Sequence, residues 1–345
     1  MKKDIRSLSL KELCSFFESN NFPSFRGKQV YNWLWNKSCF SFDEMTNISF
    51  ELREVLKKEF VINHIKIDDV QKSKDGTIKN AVSLFDNLLV ESVLIPVKNR
   101  TTACISSQVG CSLDCEFCAT SRLKRMRNLK PDEIFDQAST INLQSKLYYN
   151  RPISNIVFMG MGEPLLNYKN LILGIEKITS KDGLGMSPKR ITVSTSGISK
   201  LIIKMADNQV KFNLAVSLHS AIEETRNKIM PFSKKFPLDE LLDAIKYWNK
   251  KTGKIVTYEY IVWKEINDDV KHINALVRFC KSSPSKVNLI EYNKTENPFF
   301  VAADDEIIDK YISELEKNRI PVTIRKSRGK DIDAACGQLA NKLIN

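Results

Sequence analysis

The amino-acid sequence predicts an α/β fold in which a partial (β/α)6 barrel follows a small N-terminal helical domain and a short antiparallel β extension. Residues 1–61 repeat apolar side chains at helical spacing, and residues 62–98 place turn signals between extended stretches. From residue 99 to residue 345, strand-like and helix-like runs alternate six times. Such alternation is typical of a parallel sheet with right-handed crossovers, and six units are too few for a closed eight-stranded barrel.

The first 61 residues predict helices that pack through one apolar face. Leu10, Leu13 and Phe16 recur at helical spacing, as do Val30 and Leu34. Side chains three and four residues apart lie on the same side of a helix, so each group forms an apolar stripe. We therefore expect a helical accessory domain here.

Two turn signals divide the next segment. Asp75–Gly76 and Asp86–Asn87 each separate extended stretches, and Asp-Gly is a strong hairpin signal. Residues 62–98 are therefore expected to form antiparallel strands between the helical domain and the barrel.

The barrel is expected over residues 99–345. Its predicted strands are 101–107, 156–159, 191–195, 212–218, 256–262 and 287–292. Its predicted helices lie near 131–147, 168–180, 198–207, 238–249, 269–281 and 304–317. A seventh strand, 322–326, follows the last helix. In folds of this type functional residues collect at the carboxyl ends of the strands, so residues directly after the strands are the candidate site.

Charge and hydropathy restrict the classes of function. The chain of 345 residues carries a formal net charge of +12, and its pI of about 9.2 favours polyanionic partners such as nucleic acid or acidic membranes, with general solubility as the alternative explanation. No apolar run approaches the roughly 20 residues that a membrane span needs. The basic N-terminus is interrupted by Lys11 and Glu12, unlike a signal peptide. We expect a cytoplasmic protein without membrane contact.

Three of the eight cysteines form a C-x3-C-x2-C motif: Cys111, Cys115 and Cys118. Three closely spaced thiolates can hold three irons of a [4Fe–4S] cluster and leave the fourth iron open. Structural zinc normally takes four protein ligands. Cys104 is a possible fourth ligand, but we expect it on a strand, and the three histidines lie far away in the sequence. The motif therefore favours an iron–sulfur cluster over zinc.

Glycines and polar residues follow other predicted strands. Gly160–Pro164 is a glycine-rich turn after the second strand, Ser194 ends the third, Ser217–His219 ends the fourth, and Asn293 follows the sixth. Each alone is equally typical of a tight turn, a capping serine or a buried core histidine. Structural residues would be expected at both rims of the barrel, so their common position at one rim favours a binding site.

The chain resembles the RlmN family, the dual-specificity adenine-C2 methyltransferases of 23S rRNA and tRNA within the radical S-adenosylmethionine (SAM) superfamily. The resemblance extends over almost the whole chain. It rests on the strings SSQVGCSLDCEFCAT (106–120), FMGMGEPLLN (158–167), STSG (194–197), SLH (217–219) and DIDAACGQLA (331–340).

This resemblance implies a radical SAM barrel, one [4Fe–4S] cluster and two SAM molecules per turnover. The cluster ligands are implied to be Cys111, Cys115 and Cys118. The residues implied to bind SAM are Gly162, Glu163, Ser194, Ser217, Leu218, His219 and Asn293.

The resemblance also implies three catalytic residues. Cys336 matches the cysteine that is methylated and carries the methyl group to adenine. Cys104 matches the cysteine that later forms a disulfide with it, and Glu91 matches the proposed proton acceptor. Adenine C2 is too electron-poor to attack a SAM methyl group directly, which explains why a radical route would be used.

Two basic segments flank the expected reactive residues. One contains Arg122, Lys124, Arg125, Arg127 and Lys130, and the other contains Arg325, Lys326, Arg328 and Lys330. The N-terminal domain adds Arg26, Lys28 and Lys37. Because the two basic segments flank the reactive residues, we expect them to contact RNA phosphates and not simply to form a charged surface exposed to water. The expected partners are 23S rRNA, tRNA and an electron donor such as flavodoxin, with the chain itself a monomer.

Three alternatives remain at this point. The first is an adenine-C8 methyltransferase of the antibiotic-resistance branch, which also carries the two additional cysteines; Pro164 favours the C2 branch. The second is a radical SAM enzyme acting on something other than RNA, which the basic segments disfavour. The third is a non-enzymatic zinc or iron–sulfur protein that binds RNA.

Overall fold

A computed structural model describes residues 2–341. The α-helices of this part of the chain are α1 (Leu10–Ser19), α2 (Phe25–Trp35), α3 (Phe50–Glu59), α4 (Pro131–Tyr149), α5 (Tyr168–Thr179), α6 (Ser199–Asp207), α7 (Glu223–Ile229), α8 (Leu238–Thr252), α9 (Val270–Lys281) and α10 (Asp305–Lys317). The strands are β1 (Lys3–Asp4), β2 (Phe60–Val61), β3 (Lys66–Lys72), β4 (Ile78–Ser83), β5 (Leu89–Val97), β6 (Arg100–Cys104), β7 (Gln108–Val109), β8 (Arg127–Asn128), β9 (Asn155–Phe158), β10 (Ile191–Thr195), β11 (Asn213–Ser217), β12 (Val256–Ile261), β13 (Ser285–Ile290) and β14 (Val322–Arg325).

Helices α1 to α3 confirm the helical character predicted for the first 61 residues. A capping box begins α1: the Ser9 hydroxyl accepts the Glu12 N–H, and the Glu12 carboxylate accepts the Ser9 N–H at 2.7 Å. Leu13 and Phe17 are fully buried. Strand β1 pairs in parallel with β2 and so joins the two ends of this region. The domain boundaries at residues 61 and 98 stay predictions.

A buried ionic group fastens the N-terminal region to the barrel. The Arg6 guanidinium lies 2.7 Å from Asp136 and 3.2 Å from Asp132, both on α4. Only 5% of Arg6 is exposed. Since a buried charge without a partner is costly, this pairing fixes the position of the helical region against α4.

Strands β3, β4 and β5 confirm the antiparallel extension. Strand β4 pairs with both β3 and β5, and the turn at Asp75–Gly76 joins β3 to β4. Gly76 has φ +87°, a conformation that favours glycine. Strand β5 also pairs with β6, so the extension continues the barrel sheet.

The barrel sheet confirms the predicted partial barrel. Its ten strands have the order β14-β13-β12-β11-β10-β9-β6-β5-β4-β3, and the seven from β6 through β14 in this order pair in parallel. All six residues of β12 are buried, as expected for a parallel strand covered on both faces. In the described part of the chain, no helix combines the length and apolarity needed to cross a membrane.

Candidate active site

A cavity lies at the carboxyl ends of the parallel strands. Residues that follow β6 and residues that follow β14 line the same cavity, which requires the open sheet to curl into a partial barrel. The predicted site residues that line it are Cys111, Cys115, Cys118, Gly162, Glu163, Ser194, Ser217, His219, Asn293 and Cys336. Leu218, Cys104 and Glu91 do not line it.

The three motif cysteines lie half-buried in the loop between β7 and β8. Burial raises the pKa of Cys111 to about 12. The pKa of Cys115 is raised well above its ordinary value, first by burial and then by the charges of Cys118 and Cys111. Three thiolates in this position therefore need a cationic partner. Among residues 2–341, no three His, Cys, Asp or Glu side chains lie close enough together to hold a single metal ion. Three thiols on one cavity wall instead fit the donor set of a cluster that is held through three of its irons.

Hydrogen bonds hold the motif loop against the Cys336 segment. The Ser121 hydroxyl donates to the backbone carbonyls of Cys115 and Cys118, at 2.6 and 2.7 Å. The Ala119 N–H donates to the Gly337 carbonyl at 2.8 Å. The loop that carries the thiols and the loop that carries Cys336 therefore form one wall of the cavity.

Glu163 presents a buried carboxylate to the cavity. One of its oxygens accepts the backbone N–H and the hydroxyl of Ser196, both at 2.8 Å, and the other accepts the Leu165 N–H at 3.0 Å. Burial raises the pKa of Glu163, although these hydrogen bonds oppose the shift. The carboxylate is held in a fixed position, in which it can receive an ammonium group.

Gly162 is confined by both its backbone and its neighbours. Its φ is +92°, and a Cβ atom there would lie 2.4 Å from the Gln108 Cβ. We expect Gly162→Ala to lower the free energy of unfolding by about 1–3 kcal/mol through overpacking, beyond the strain of a positive φ. Chemical denaturation measures the change. Gly253→Ala is the matched control, because Gly253 has φ +66° and open space around its Cβ position. Equal losses in the two variants would contradict the role assigned to Gln108.

His219 belongs to an aromatic wall of the cavity. Burial lowers its pKa to about 3, so the ring is neutral, and its Nδ1 accepts the Ile261 N–H at 3.2 Å. Phe117 lies edge-on to His219 with ring centroids 4.8 Å apart, and Trp263 lies 5.1 Å from Phe117. A rigid apolar wall of this kind suits a nucleoside base. Trp263 follows β12 and is fully buried; it packs against Phe117 without lining the cavity itself, and the sequence did not single it out.

The charge of Cys336 acts on Cys104, but the two cysteines differ in their accessibility from the cavity. Cys336 lines the cavity, and the Asn293 amide donates to its carbonyl at 3.3 Å. Cys104 ends β6 and is 6% exposed; burial, and then the charge of Cys336, raises its pKa to about 12. Both are free thiols, so the disulfide implied by the resemblance is not borne out by the structure. Its formation during turnover stays a prediction.

Arg325 connects these cysteines to Glu259. Its guanidinium lies 3.7 Å from Glu259 and 3.0 Å from the Met159 sulfur. The charge of Cys336 raises the pKa of Arg325 against the effect of burial. The sequence placed Arg325 in a basic segment facing RNA; the structure places it in the cavity wall.

Glu91 is 1% exposed and lies outside the cavity. One carboxylate oxygen lies 3.3 Å from the Lys79 ammonium. The other accepts the backbone N–H groups of Ala340 and Asn341, at 2.8 and 3.1 Å. The carboxylate therefore holds the segment after Cys336, and action as a proton acceptor requires that segment to move.

The basic segment after the motif is divided in two. Arg122, Lys124 and Arg125 are exposed. Arg127 is instead bound by Asp86 at 2.6 Å and by Glu133 at 2.7 Å. The exposed three are the cations available to a polyanion at this rim.

Two family models match the chain. The model described as the radical SAM superfamily matches residues 105–277, and the model described as the ribosomal RNA large subunit methyltransferase N-terminal domain matches residues 3–62. The first match contains the three motif cysteines and most of the cavity. The second covers the N-terminal helices.

Similar proteins match the chain over nearly its full length. A probable dual-specificity RNA methyltransferase RlmN from Flavobacterium psychrophilum is 65% identical, over 99% of both chains. A dual-specificity RNA methyltransferase RlmN from Geotalea uraniireducens is 42% identical, over 99% of this chain and 98% of the other. The crystal structure of a radical SAM methyltransferase from Sphaerobacter thermophilus has a TM-score of 0.93 at 33% identity, over 99% of this chain and 100% of that one. The chain therefore belongs to the RlmN family of dual-specificity RNA methyltransferases, which are radical SAM enzymes that use a [4Fe–4S] cluster.

Proposed function

We propose that this enzyme methylates C2 of a specific adenine in 23S rRNA and in tRNA, with Cys336 as the methyl carrier. The observation that carries the proposal is the shared cavity, in which Cys336 lies with the three motif cysteines and Glu163. A carrier cysteine has to meet both a SAM methyl group and the substrate base, and one cavity allows both.

The proposed roles of the residues follow from their positions. Glu163 receives the SAM ammonium, and the aromatic wall with His219 and Phe117 receives the adenine of SAM. Cys336 takes a methyl group by displacement at its sulfur, and the Arg325 guanidinium lines the same cavity. The cluster, when bound, supplies the electron that cleaves a second SAM and so activates the carried methyl group.

Cys104 is the residue proposed to release the product. After the methyl carbon on Cys336 has bonded to adenine C2, the C2 proton must leave, and Glu91 is the proposed acceptor. The electron released with that proton would return to the cluster. The Cys104 thiol then attacks the Cys336 sulfur: an S–S bond forms as the bond from Cys336 to carbon breaks, and the released carbon takes the thiol proton to become the methyl group. The target adenine must leave its stack to enter the cavity.

Analysis of the modified nucleoside tests the position of methylation. RNA treated with the anaerobic, reconstituted enzyme and SAM should contain 2-methyladenosine after digestion, measured by mass spectrometry against both isomeric standards. RNA from cells that lack the gene should have lost the same nucleoside. Finding 8-methyladenosine alone would place the enzyme in the resistance branch.

The remaining assignments concern the setting of the reaction. We propose a cytoplasmic monomer that receives electrons from a donor such as flavodoxin. Free thiols and an oxygen-sensitive cluster suit a reducing compartment. The exposed Arg122, Lys124 and Arg125 are the proposed phosphate contacts beside the cavity.

A further inference from the structure

Arg226 places a fully buried guanidinium behind the active cavity. It lies in α7 and is 0% exposed. Its Nη2 donates to the Ser196 carbonyl at 2.6 Å, and its Nε donates to the Leu218 carbonyl at 3.3 Å. It therefore joins the segments that follow β10 and β11, both of which contribute residues to the cavity.

The charge of Arg226 has no counterion at contact distance. Within the described part of the chain, Arg226 forms no ion pair, and its Nη1 is buried without a hydrogen-bond partner. The carboxylate with the largest electrostatic effect on Arg226 is that of Glu223, which accepts the Leu238 N–H at 2.7 Å. Burial lowers the pKa of Arg226 to about 10, so it stays protonated at neutral pH. An unpaired buried cation is costly to folding, which indicates a role outside stability.

The first connection of Arg226 to the active site runs through Ser196. The same Ser196 whose carbonyl accepts from Arg226 donates its N–H and hydroxyl to Glu163. The next residue, Gly197, has φ +103°, and a Cβ there would lie 3.3 Å from the guanidinium Nη2. Arg226 therefore fixes the donor that orients the Glu163 carboxylate.

The second connection runs to the cysteine motif. Helix α7, which carries Arg226, contacts the motif loop, because the Glu116 N–H donates to the Ile229 carbonyl at 3.1 Å. When the three cysteines hold a cluster, their thiolates and Glu163 would place negative charge in one region of low dielectric, where a nearby cation has a large effect.

We propose that Arg226 is a positioning residue that orients Glu163 through Ser196 and supplies a permanent positive charge beside the three-cysteine site. The inference rests on the proposed binding of the SAM ammonium by Glu163, and it is independent of which adenine carbon is methylated. Reduction of a cluster held by these cysteines would add one negative charge beside Cys115, and the Arg226 guanidinium would favour that state electrostatically.

Two substitutions in the anaerobic, reconstituted enzyme separate charge from geometry. Arg226→Met removes the charge, and we expect the equilibrium constant for cluster reduction to fall about tenfold, a shift of about 59 mV for one electron. Arg226→Lys keeps the charge but lacks the planar fork. Its midpoint potential should stay near that of the wild type, while its SAM dissociation constant rises about tenfold. A redox titration followed by electron paramagnetic resonance gives the first quantity, and equilibrium binding of SAM gives the second.

Lys228→Met is the matched control for charge. Lys228 lies on the same helix two residues later, and its exposed side chain pairs with Glu224 at 2.9 Å. This variant should match the wild type in both measurements. The wild-type protein is measured first, so failure of the proposed function is visible as a protein that binds neither iron nor SAM.

The measurements contradict the proposal in two ways. If Arg226→Met has the wild-type midpoint potential, the guanidinium does not act on the cluster. If Arg226→Lys binds SAM as tightly as the wild type, it does not orient Glu163. Should Arg226→Met fail to fold, Arg226→Lys decides: wild-type affinity for SAM would overturn the proposal, and a tenfold loss at an unchanged potential would support it.

Discussion

Cys115→Ala is expected to abolish iron binding and SAM cleavage together. Wild-type protein reconstituted without oxygen should carry about four irons per chain, and the variant should carry close to none. Cys115 lies between the other two motif cysteines in the sequence, and the cavity lining offers no other thiol except Cys336. Loss of a partner outside the first ligand shell costs roughly 10–100-fold in metal affinity, so loss of a ligand should cost more. Iron and sulfide analysis, together with the yield of 5′-deoxyadenosine, measures both effects.

Cys280→Ala provides the control for removal of a thiol. Cys280 is a buried cysteine of α9 that does not line the cavity. Its variant should keep the full iron content and the full yield of 5′-deoxyadenosine. Stoichiometric zinc without iron in anaerobic wild-type protein would contradict the cluster, as would a Cys115→Ala protein that retains four irons.

The regular part of the barrel was predictable because its signals are local. The strand predicted at 191–195 is β10 (Ile191–Thr195) and the helix predicted near 304–317 is α10 (Asp305–Lys317), with a difference of one residue at its start. Both follow from runs of apolar residues with a clear period, bounded by polar residues. The position of the candidate site at the carboxyl ends of the strands was predictable for the same reason, because it depends only on where each strand ends.

The first strand shows where local signals fail. The prediction extends it to residue 107, but β6 ends at Cys104. Ile105 still donates to the Val157 carbonyl of β9 at 3.1 Å, but the next two residues bond elsewhere. The Ser107 N–H donates to the Met161 carbonyl at 2.9 Å, and the Ser106 N–H donates to the Gln137 side chain at 2.9 Å. These partners lie over 30 residues away in the sequence. A β-like composition alone does not reveal that the chain leaves the sheet.

The residues that line the candidate site were predicted from the sequence, but the buried residues that hold them in place were not. The spacing of the three motif cysteines alone indicates a cluster site, and the resemblance to the family implied which residues bind SAM. Arg226 and Ser196 were not identified, because their roles depend on contacts between α7 and the ends of two strands. Glu91 was identified, but its bonds to Ala340 and Asn341 were not, because 249 and 250 residues separate the partners.

Cys104→Ala is expected to convert turnover into a trapped covalent adduct. The variant keeps the cluster ligands, Glu163 and Cys336, so the methyl carbon on Cys336 can still bond to adenine. It lacks the thiol that releases the product, and the RNA should remain linked to most chains on a denaturing gel. Cys104 sits at the end of β6, where Cys336 contributes to its raised pKa. A disulfide requires Cα atoms within about 7 Å of each other, so release requires the end of β6 and the Cys336 segment to lie that close when the S–S bond forms.

Cys336→Ala is expected to trap no RNA, in contrast to Cys104→Ala. Without the carrier there is no carbon to join, so neither this variant nor the double variant with Cys104→Ala should form an adduct or methylated RNA. Both should still cleave SAM to 5′-deoxyadenosine, because the motif cysteines and Glu163 are unchanged. Mass spectrometry of the trapped protein should place the adduct on the peptide that contains Cys336. If Cys104→Ala instead turns over at the wild-type rate and traps no RNA, Cys104 is a buried strand residue and the release step proposed for it is wrong.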